Sequence, residues 1–538
     1  MGAALLRRDG AFPWRGAVLV LLLALAVIGG GAALRSTEYD ETYTRLVTSP
    51  VPRPDWPATP FTPAEARPAL EAVVGPAATA RNLRETDVHP PLYFWAAGVL
   101  RGLGGTSVGA LRALSVACAL GAVLAFMAAA HRAGLPPLAT GLATALSFGF
   151  AYTGGVARGF ALAHLLLGLG ALAVVLAWRR QAAGAAAAGG LAAGLASFAN
   201  YLAAFPAAAL VGWLLIAPMP ARSRLRLLAA AALPFGLVQI GNLWFFLAQR
   251  GSRTEQFEPF AIAPALTLLG QFNAASLFGG LPLYVEGPAR LLLGGALVLL
   301  LAAAALAVAW RWRALGPTRW LWLGGFAAPS AGLLLLGAAF GNTPIELRYL
   351  AFAAPFAGAL LAGAAAALPR RAALPALGLV LAVQAAGAAG MVLHPATQQT
   401  FRDAFAALSP LLGPRTLLLV PRGNDGVGIV GAVLAEAPPD QRILLLREDA
   451  PDIPAPADGA TRLVLLAVTD RDGARQVARA RAALAADPAW REAATPWRDA
   501  RRGFTATVYE AAPRAASRVA DRAEGVLVRR AHHGGEQP

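Results

Sequence analysis

The chain has 538 residues, of which 57% are hydrophobic and only 14% charged, against about 25% charged in an ordinary soluble domain. With a mean hydropathy of +0.54, this excludes a wholly soluble globular protein and points to a membrane-embedded body. The net charge of +16 does not imply nucleic acid as a partner. Every basic residue is arginine, and many sit in short loops between apolar runs, which is the pattern that sets membrane orientation.

The first apolar run, Gly16 to Leu34, follows Arg7, Arg8 and Arg15. It has no convincing small-residue cleavage site, so it reads as a retained span rather than a signal peptide. Further runs near the length that hydrocarbon requires are 108–130, 136–153, 157–178, 184–199, 201–217, 226–248, 290–310, 319–340, 348–367 and 372–393, giving about eleven predicted spans. The single cysteine, Cys118, lies in one of them and excludes intrachain disulfides and thiolate metal clusters.

A shorter stretch, 89–104, opens on His89-Pro90-Pro91 and decides the topology. If it does not cross, one side of the membrane collects Arg7, Arg8 and Arg15, then Arg132, Arg179 and Arg180, Arg222, Arg224 and Arg226, Arg311, Arg313 and Arg319, and Arg370 and Arg371. Arginine-bearing short loops mark the cytoplasmic side. The stretch is therefore placed as an interfacial helix on the outer face, with outer loops over 35–107 and 249–289 and an outer segment after 394.

From residue 394 the pattern changes. Residues 416–421, 442–447 and 461–468 read as buried strands, and 427–436 and 472–486 as helices, so 394–511 is predicted to be a small outer α/β domain. Arg422-Gly423-Asn424-Asp425-Gly426-Val427-Gly428 lacks the full glycine pattern of a dinucleotide loop and reads as a tight turn with an Asx cap. The Arg- and Ala-rich tail, 512–538, is expected to be poorly ordered.

This topology gathers Glu38, Asp40, Glu41, Tyr43, Asp87, His89, Arg158, Asn200, Tyr201, Arg348 and Tyr349 at the outer mouth, although they come from distant parts of the chain. Ionisable groups at membrane depth are costly and read as functional by default. Asp40-Glu41 suits general-base activation of a hydroxyl; solvated acids at a helix end are the bland alternative. In Asp87-Val88-His89-Pro90-Pro91-Leu92-Tyr93-Phe94-Trp95 the prolines fix a helix start, and the aromatics suit the membrane interface. Arg158 and Arg348 cap outer ends of spans against the orientation rule, which favours phosphate binding over snorkelling or a local Glu346–Arg348 pair.

The acidic pair just after the first span, the Asp-x-His-Pro-Pro-Leu-Tyr string, Ala157-Arg158-Gly159-Phe160 and Arg348-Tyr349 followed by Pro355 together resemble glycosyltransferase family 39. This is the protein O-mannosyltransferase-like group of the GT-C superfamily, to which bacterial aminoarabinose transferases are related. The resemblance covers roughly residues 15–365 and departs at Asn200-Tyr201, where a His-Tyr is frequent, and at Val156, where an acid is common. It implies a mainly α, polytopic GT-C bundle over 1–393 with juxtamembrane helices in the 35–107 loop. The implied activity is inverting transfer of a sugar from a polyprenyl-phosphate donor to a lipid, glycan or protein acceptor. The location implied is the outer face of a bacterial inner membrane.

In the implied roles, Asp40 and Glu41 are catalytic. Asp87, His89 and Tyr43 orient the acceptor or the base, and Arg158, Arg348 and Tyr349 bind the donor phosphate. The resemblance fixes no cofactor; some relatives hold a divalent metal, for which Glu41 and His89 are the candidate ligands here. The competing reading is a polytopic lipid or solute transporter, which would place charges near mid-membrane on broken helices, often with internal repeats.

Overall fold

Hydrocarbon offers backbone amides no partners, so a span must close its own hydrogen bonds. Among the described residues, eight helices are long and apolar enough to do this across a membrane: 14–34, 108–133, 160–180, 221–249, 288–310, 319–340, 347–366 and 371–393. The protein is a multi-pass membrane protein. The computed structural model describes residues 5–6, 10–250, 257–394, 399–447, 453, 459–468, 471–499 and 503–512. Arg7 and Arg8 of the orientation argument, and the tail after 512, lie outside the described residues.

Eight of the eleven predicted spans are thus single long helices. Predicted spans 184–199 and 201–217 are shorter apolar helices, Ala183–Ala199 and Tyr201–Leu215. Asn200 separates them: its backbone is extended and its Oδ1 accepts from the Leu202 amide at 3.1 Å. The predicted span 136–153 is a correction. It folds as two helices, Pro137–Ala145 and Phe148–Gly154, broken at Leu146-Ser147. Other elements approach the second piece closely. A Cβ on Gly149 would lie 2.0 Å from Ser276 Oγ, and one on Gly155 only 3.2 Å from the Ile28 carbonyl oxygen.

Ser276 belongs to another unexpected element, the apolar helix Ile262–Phe278, inside what reads from sequence as an outer loop. Its start packs Ala265 and Leu269 with Leu333, Ile345 and Leu350. Helix 347–366 is the centre of the bundle, with 83% of its apolar window buried, whereas 288–310 is peripheral at 6%. The stretch 89–104 forms an 11-residue helix, Leu92–Gly102, about 16 Å long and too short to cross. Trp95 stays at its edge, but Tyr93 is fully buried and its hydroxyl meets Ser115 Oγ at 3.1 Å.

The chain divides into two compact units, one of residues 1–54 and 67–402 and the other of 55–66 and 403–538. The second unit is a five-stranded sheet with β1 Thr416–Pro421, β2 Arg442–Leu446, β3 Arg462–Ala467, β4 Trp490–Asp499 and β5 Phe504–Ala511, in order β2-β1-β3-β5-β4. Strands β1, β2 and β3 are parallel, and β5 and β4 add antiparallel. Helices Gly428–Glu436 and Arg471–Ala486 match the predicted pair. The segment 55–66, placed by sequence in the first outer loop, belongs to this unit. Phe61 bridges Ile443, and Trp56 Nε1 donates to the Gly426 carbonyl at 2.6 Å. The 422–428 segment turns tightly as expected, with Asp425 Oδ1 accepting from the Val427 amide at 3.0 Å and Gly423 and Gly426 at positive φ, but the expected Asx cap is not made: the helix N-cap is Val427, without a side-chain cap bond.

Candidate active site

Helix Tyr39–Val47 begins with a capping box built from acids. Glu38 is the N-cap, and its amide donates to Glu41 Oε2 at 3.0 Å. Acids in a first turn also complement the helix dipole. Turning once, the helix sends Asp40 and Glu41 to different environments. Asp40 remains 20% accessible, and Glu41 is 0%.

Glu41 is held by Arg112, whose Nε donates to Oε1 at 2.7 Å and Nη2 to Oε2 at 2.6 Å. The same guanidinium donates to the carbonyls of Ala32, Arg35 and Ser36. Glu41 Oε1 also accepts from the Ala157 amide at 3.1 Å, while Thr44 Oγ1 donates to the Ala157 carbonyl at 2.8 Å. Both backbone groups of Ala157 are thereby pinned to helix 39–47, and this fixes the position of Arg158. Gly159 must follow, because a Cβ there would sit 2.1 Å from the Ala199 carbonyl oxygen. The Ala-Arg-Gly-Phe string is a device for presenting one guanidinium.

That guanidinium, 1% accessible, is the hub of the site. Nη1 lies 3.6 Å from Asp87 Oδ2, and Nη2 lies 3.9 Å from Asp40 Oδ1. Nη2 is also 3.0 and 3.4 Å from the two ring nitrogens of His89, so it lies against the imidazole. His89 Nδ1 is 2.7 Å from Asp87 Oδ1, which makes Nδ1 the protonated nitrogen donating to that carboxylate. The Arg158 Nε is buried and has no hydrogen-bond acceptor among the described residues. On the far side of Asp40, Arg348 donates from Nη1 to Asp40 Oδ2 and from Nε to Glu346 Oε2 at 2.7 Å. Arg348 is 20% accessible, so an incoming molecule can reach both it and Asp40.

Asp40, Asp87, His89, Arg158 and Arg348 thus form one run of contacts, and Glu41 supports it from below. Tyr43 carries the Arg53 guanidinium 4.9 Å from its ring, and Tyr349 has that of Arg348 at 5.4 Å. A metal does not fit the predicted ligands. No group of three His, Cys, Asp or Glu side chains occurs among the described residues, and both Glu41 oxygens are spent on Arg112 and backbone amides.

Several residues that sequence reasoning passed over build this site. Arg112 is one, and Gln249 another. Its Nε2 donates to the carbonyls of Leu83 and His89 at 2.9 and 3.1 Å, tying helix 221–249 to the His89 loop. Glu38, which the sequence places at the outer mouth without a role, accepts from the Tyr152 hydroxyl at 2.9 Å and pairs with Arg35 at 3.5 Å, yet burial raises its pKa above the usual carboxylate range. Arg101 is a third residue passed over. It donates to the carbonyls of Arg45, Leu70 and Ala72 and to Thr48 Oγ1. Burial and the neighbouring Arg45 lower its pKa to about 10, so it stays charged at neutral pH. The signal that singled out Arg158 and Arg348, an arginine near the start of an apolar helix on the wrong side, was available for Arg112 too.

Removing Arg101 strands several buried acceptors, each at about 1–3 kcal/mol. Arg101→Leu is therefore expected to lower the unfolding temperature of the purified protein clearly, and Arg101→Lys to recover part of the loss. A wild-type melting curve for Arg101→Leu would remove Arg101 from the structural account.

No family model matches the sequence, and no curated protein matches it. Solved structures do. ArnT from Cupriavidus metallidurans bound to undecaprenyl phosphate is 15% identical, with a TM-score of 0.49 over 93% of this chain and 98% of that one. The S. cerevisiae protein O-mannosyltransferase Pmt1-Pmt2 complex bound to the sugar donor is 14% identical, with a TM-score of 0.33 over 48% of this chain and 37% of that one. The arabinofuranosyltransferase AftD from Mycobacteria is 16% identical, with a TM-score of 0.41 over 94% and 42%. All three likenesses are distant, and the functional reading rests on the residues of the site.

Proposed function

We propose that the protein is an inverting glycosyltransferase of GT-C type. It moves a sugar from a polyprenyl-phosphate donor to a hydroxyl or amine acceptor, on the outer face of a bacterial inner membrane. One observation carries this reading: an accessible carboxylate, Asp40, stands between two arginines, Arg348 and Arg158, with the Asp87–His89 pair behind it. The family-39 resemblance of the same residues agrees with it.

The chemistry follows from charge. The acceptor X–H loses its proton to Asp40 as X attacks the anomeric carbon. The bond from that carbon to the phosphate oxygen breaks, and polyprenyl phosphate leaves with the electron pair. A phosphate leaving group needs cations rather than a protonating acid, and preorganised guanidinium groups are suited to stabilise it. Arg348 is the accessible one, and Arg158 contributes its uncommitted Nε. Asp87 and His89 hold Arg158 in place. Tyr349 borders the phosphate side, and Tyr43 the acceptor side.

Three ion pairs that join distant parts of the membrane unit, Arg112–Glu41, Arg158–Asp87 and Arg348–Asp40, lie at helix starts rather than on a broken mid-membrane segment. This argues against the transporter reading. The deciding experiment incubates purified protein with a panel of polyprenyl-phosphate sugars and acceptors and measures polyprenyl phosphate released. Release that depends on one sugar and rises with acceptor supports the proposal. Intact donors throughout a panel of hexosyl and pentosyl lipids, with well-folded protein, would end it.

A further inference from the structure

An apolar groove of about 450 Å³ lies in the membrane unit, lined by Leu301, Val308, Trp312, Trp320, Phe326 and Leu361 among others. No step of the proposed reaction uses it. One end is capped by two indoles packed edge to face, Trp312 and Trp320, with centroids 4.8 Å apart. Around these indoles stand Arg311, Arg313 and Arg319, with no acid in the intervening sequence. Arg311 lies over the Trp310 ring at 4.0 Å and Arg319 over the Trp312 ring at 5.7 Å. The Nε atoms of both Arg311 and Arg319 are buried without a hydrogen-bond partner among the described residues.

We infer that this groove is a binding site for an anionic glycerophospholipid, with one acyl chain in the groove and the phosphate at Arg311, Arg313 and Arg319. Three observations select that occupant. From Leu301 to Trp312 the groove follows about 16 Å of helix, roughly half of a hydrocarbon core of about 30 Å, so it accommodates the tail of one leaflet. Indoles mark the depth at which tails give way to headgroups. The charges beside the indoles, Arg311, Arg313 and Arg319, are cationic, and the buried Nε donors of Arg311 and Arg319 are uncommitted among the described residues; basic pockets between membrane helices suit such headgroups. The occupant is distinct from the sugar donor's head. Arg319 begins helix 319–340 and Arg348 follows its other end, and 22 residues separate those ends by about 33 Å. This site lies in the leaflet opposite Asp40.

The test uses full-length protein stripped of lipid in neutral detergent and titrated with phosphatidylglycerol or phosphatidylcholine of identical acyl chains. Bound lipid is counted by native mass spectrometry. Wild type is expected to retain phosphatidylglycerol preferentially. Arg311→Gln and Arg319→Gln should each weaken it about fivefold, and Ala304→Trp, which fills the groove, should abolish retention without touching a charge. Equal retention of the two lipids, retention of neither, or undiminished binding in all three variants would overturn the site. Displacement by added polyprenyl phosphate would also overturn it, assigning the groove to the donor. Should a variant fail to fold, wild type still decides. Phosphatidylglycerol brominated along its chains is expected to quench fluorescence that Trp312→Phe lacks, and equal quenching by brominated phosphatidylcholine contradicts the inference.

Discussion

Asp40→Asn is expected to lower the rate of sugar transfer by about 10²–10⁴-fold, the usual contribution of a positioned general base. The substitution keeps the side chain's shape and removes its capacity to hold the acceptor proton. Helix 39–47 is capped by Glu38 and Glu41 rather than by Asp40, so folding should be little affected. Donor binding should hold or tighten, because Arg348 and Arg158 lose a competing carboxylate. The informative measurement is therefore a pair: single-turnover transfer and donor affinity on the same sample. Unchanged transfer by well-folded Asp40→Asn protein sinks the base assignment. Loss of transfer with equal loss of donor affinity would instead make Asp40 part of the binding site.

The membrane spans were legible because twenty apolar residues in a row leave the backbone few other choices. The stretch 136–153 has the same composition and still breaks at Leu146-Ser147; past the break, Gly149 and Gly155 leave room for Ser276 and Ile28, approaches from far away in sequence that an apolar run does not reveal. Parallel strands β1 to β3 announced themselves as apolar runs. Strand β4 did not: it is the sheet edge, mostly exposed, and contains Pro496, which edges tolerate. At the site, Asp40, Asp87, His89, Arg158 and Arg348 were findable because each violates what its position should hold. Glu41 was findable for the same reason. Its environment differs because the burial that separates it from Asp40 depends on the partner, Arg112, and sequence does not reveal pairing.

That pairing carries the other large expected effect. Arg112→Met leaves a fully buried carboxylate with only two amide donors, and it strips donors from the carbonyls of Ala32, Arg35 and Ser36. Removing one partner of a buried ion pair costs about 3–5 kcal/mol, enough to erase much of an ordinary folding free energy of about 5–15 kcal/mol. Glu41→Gln keeps the shape and loses the charge, so it should cost less. Combining it with Arg112→Met should cost less than the sum of the two, since the double variant buries no unpaired charge. Melting curves of the four proteins measure that coupling, and simple additivity would deny it. Transfer assays on the same set separate support from chemistry. If Glu41 acts only by pinning Ala157 and hence Arg158, Glu41→Gln activity should fall mainly through donor affinity and remain well above that of Asp40→Asn. A Glu41→Gln protein that melts like wild type and binds donor normally, yet transfers as poorly as Asp40→Asn, would place Glu41 at the reacting atoms and return the acidic pair to a shared catalytic role.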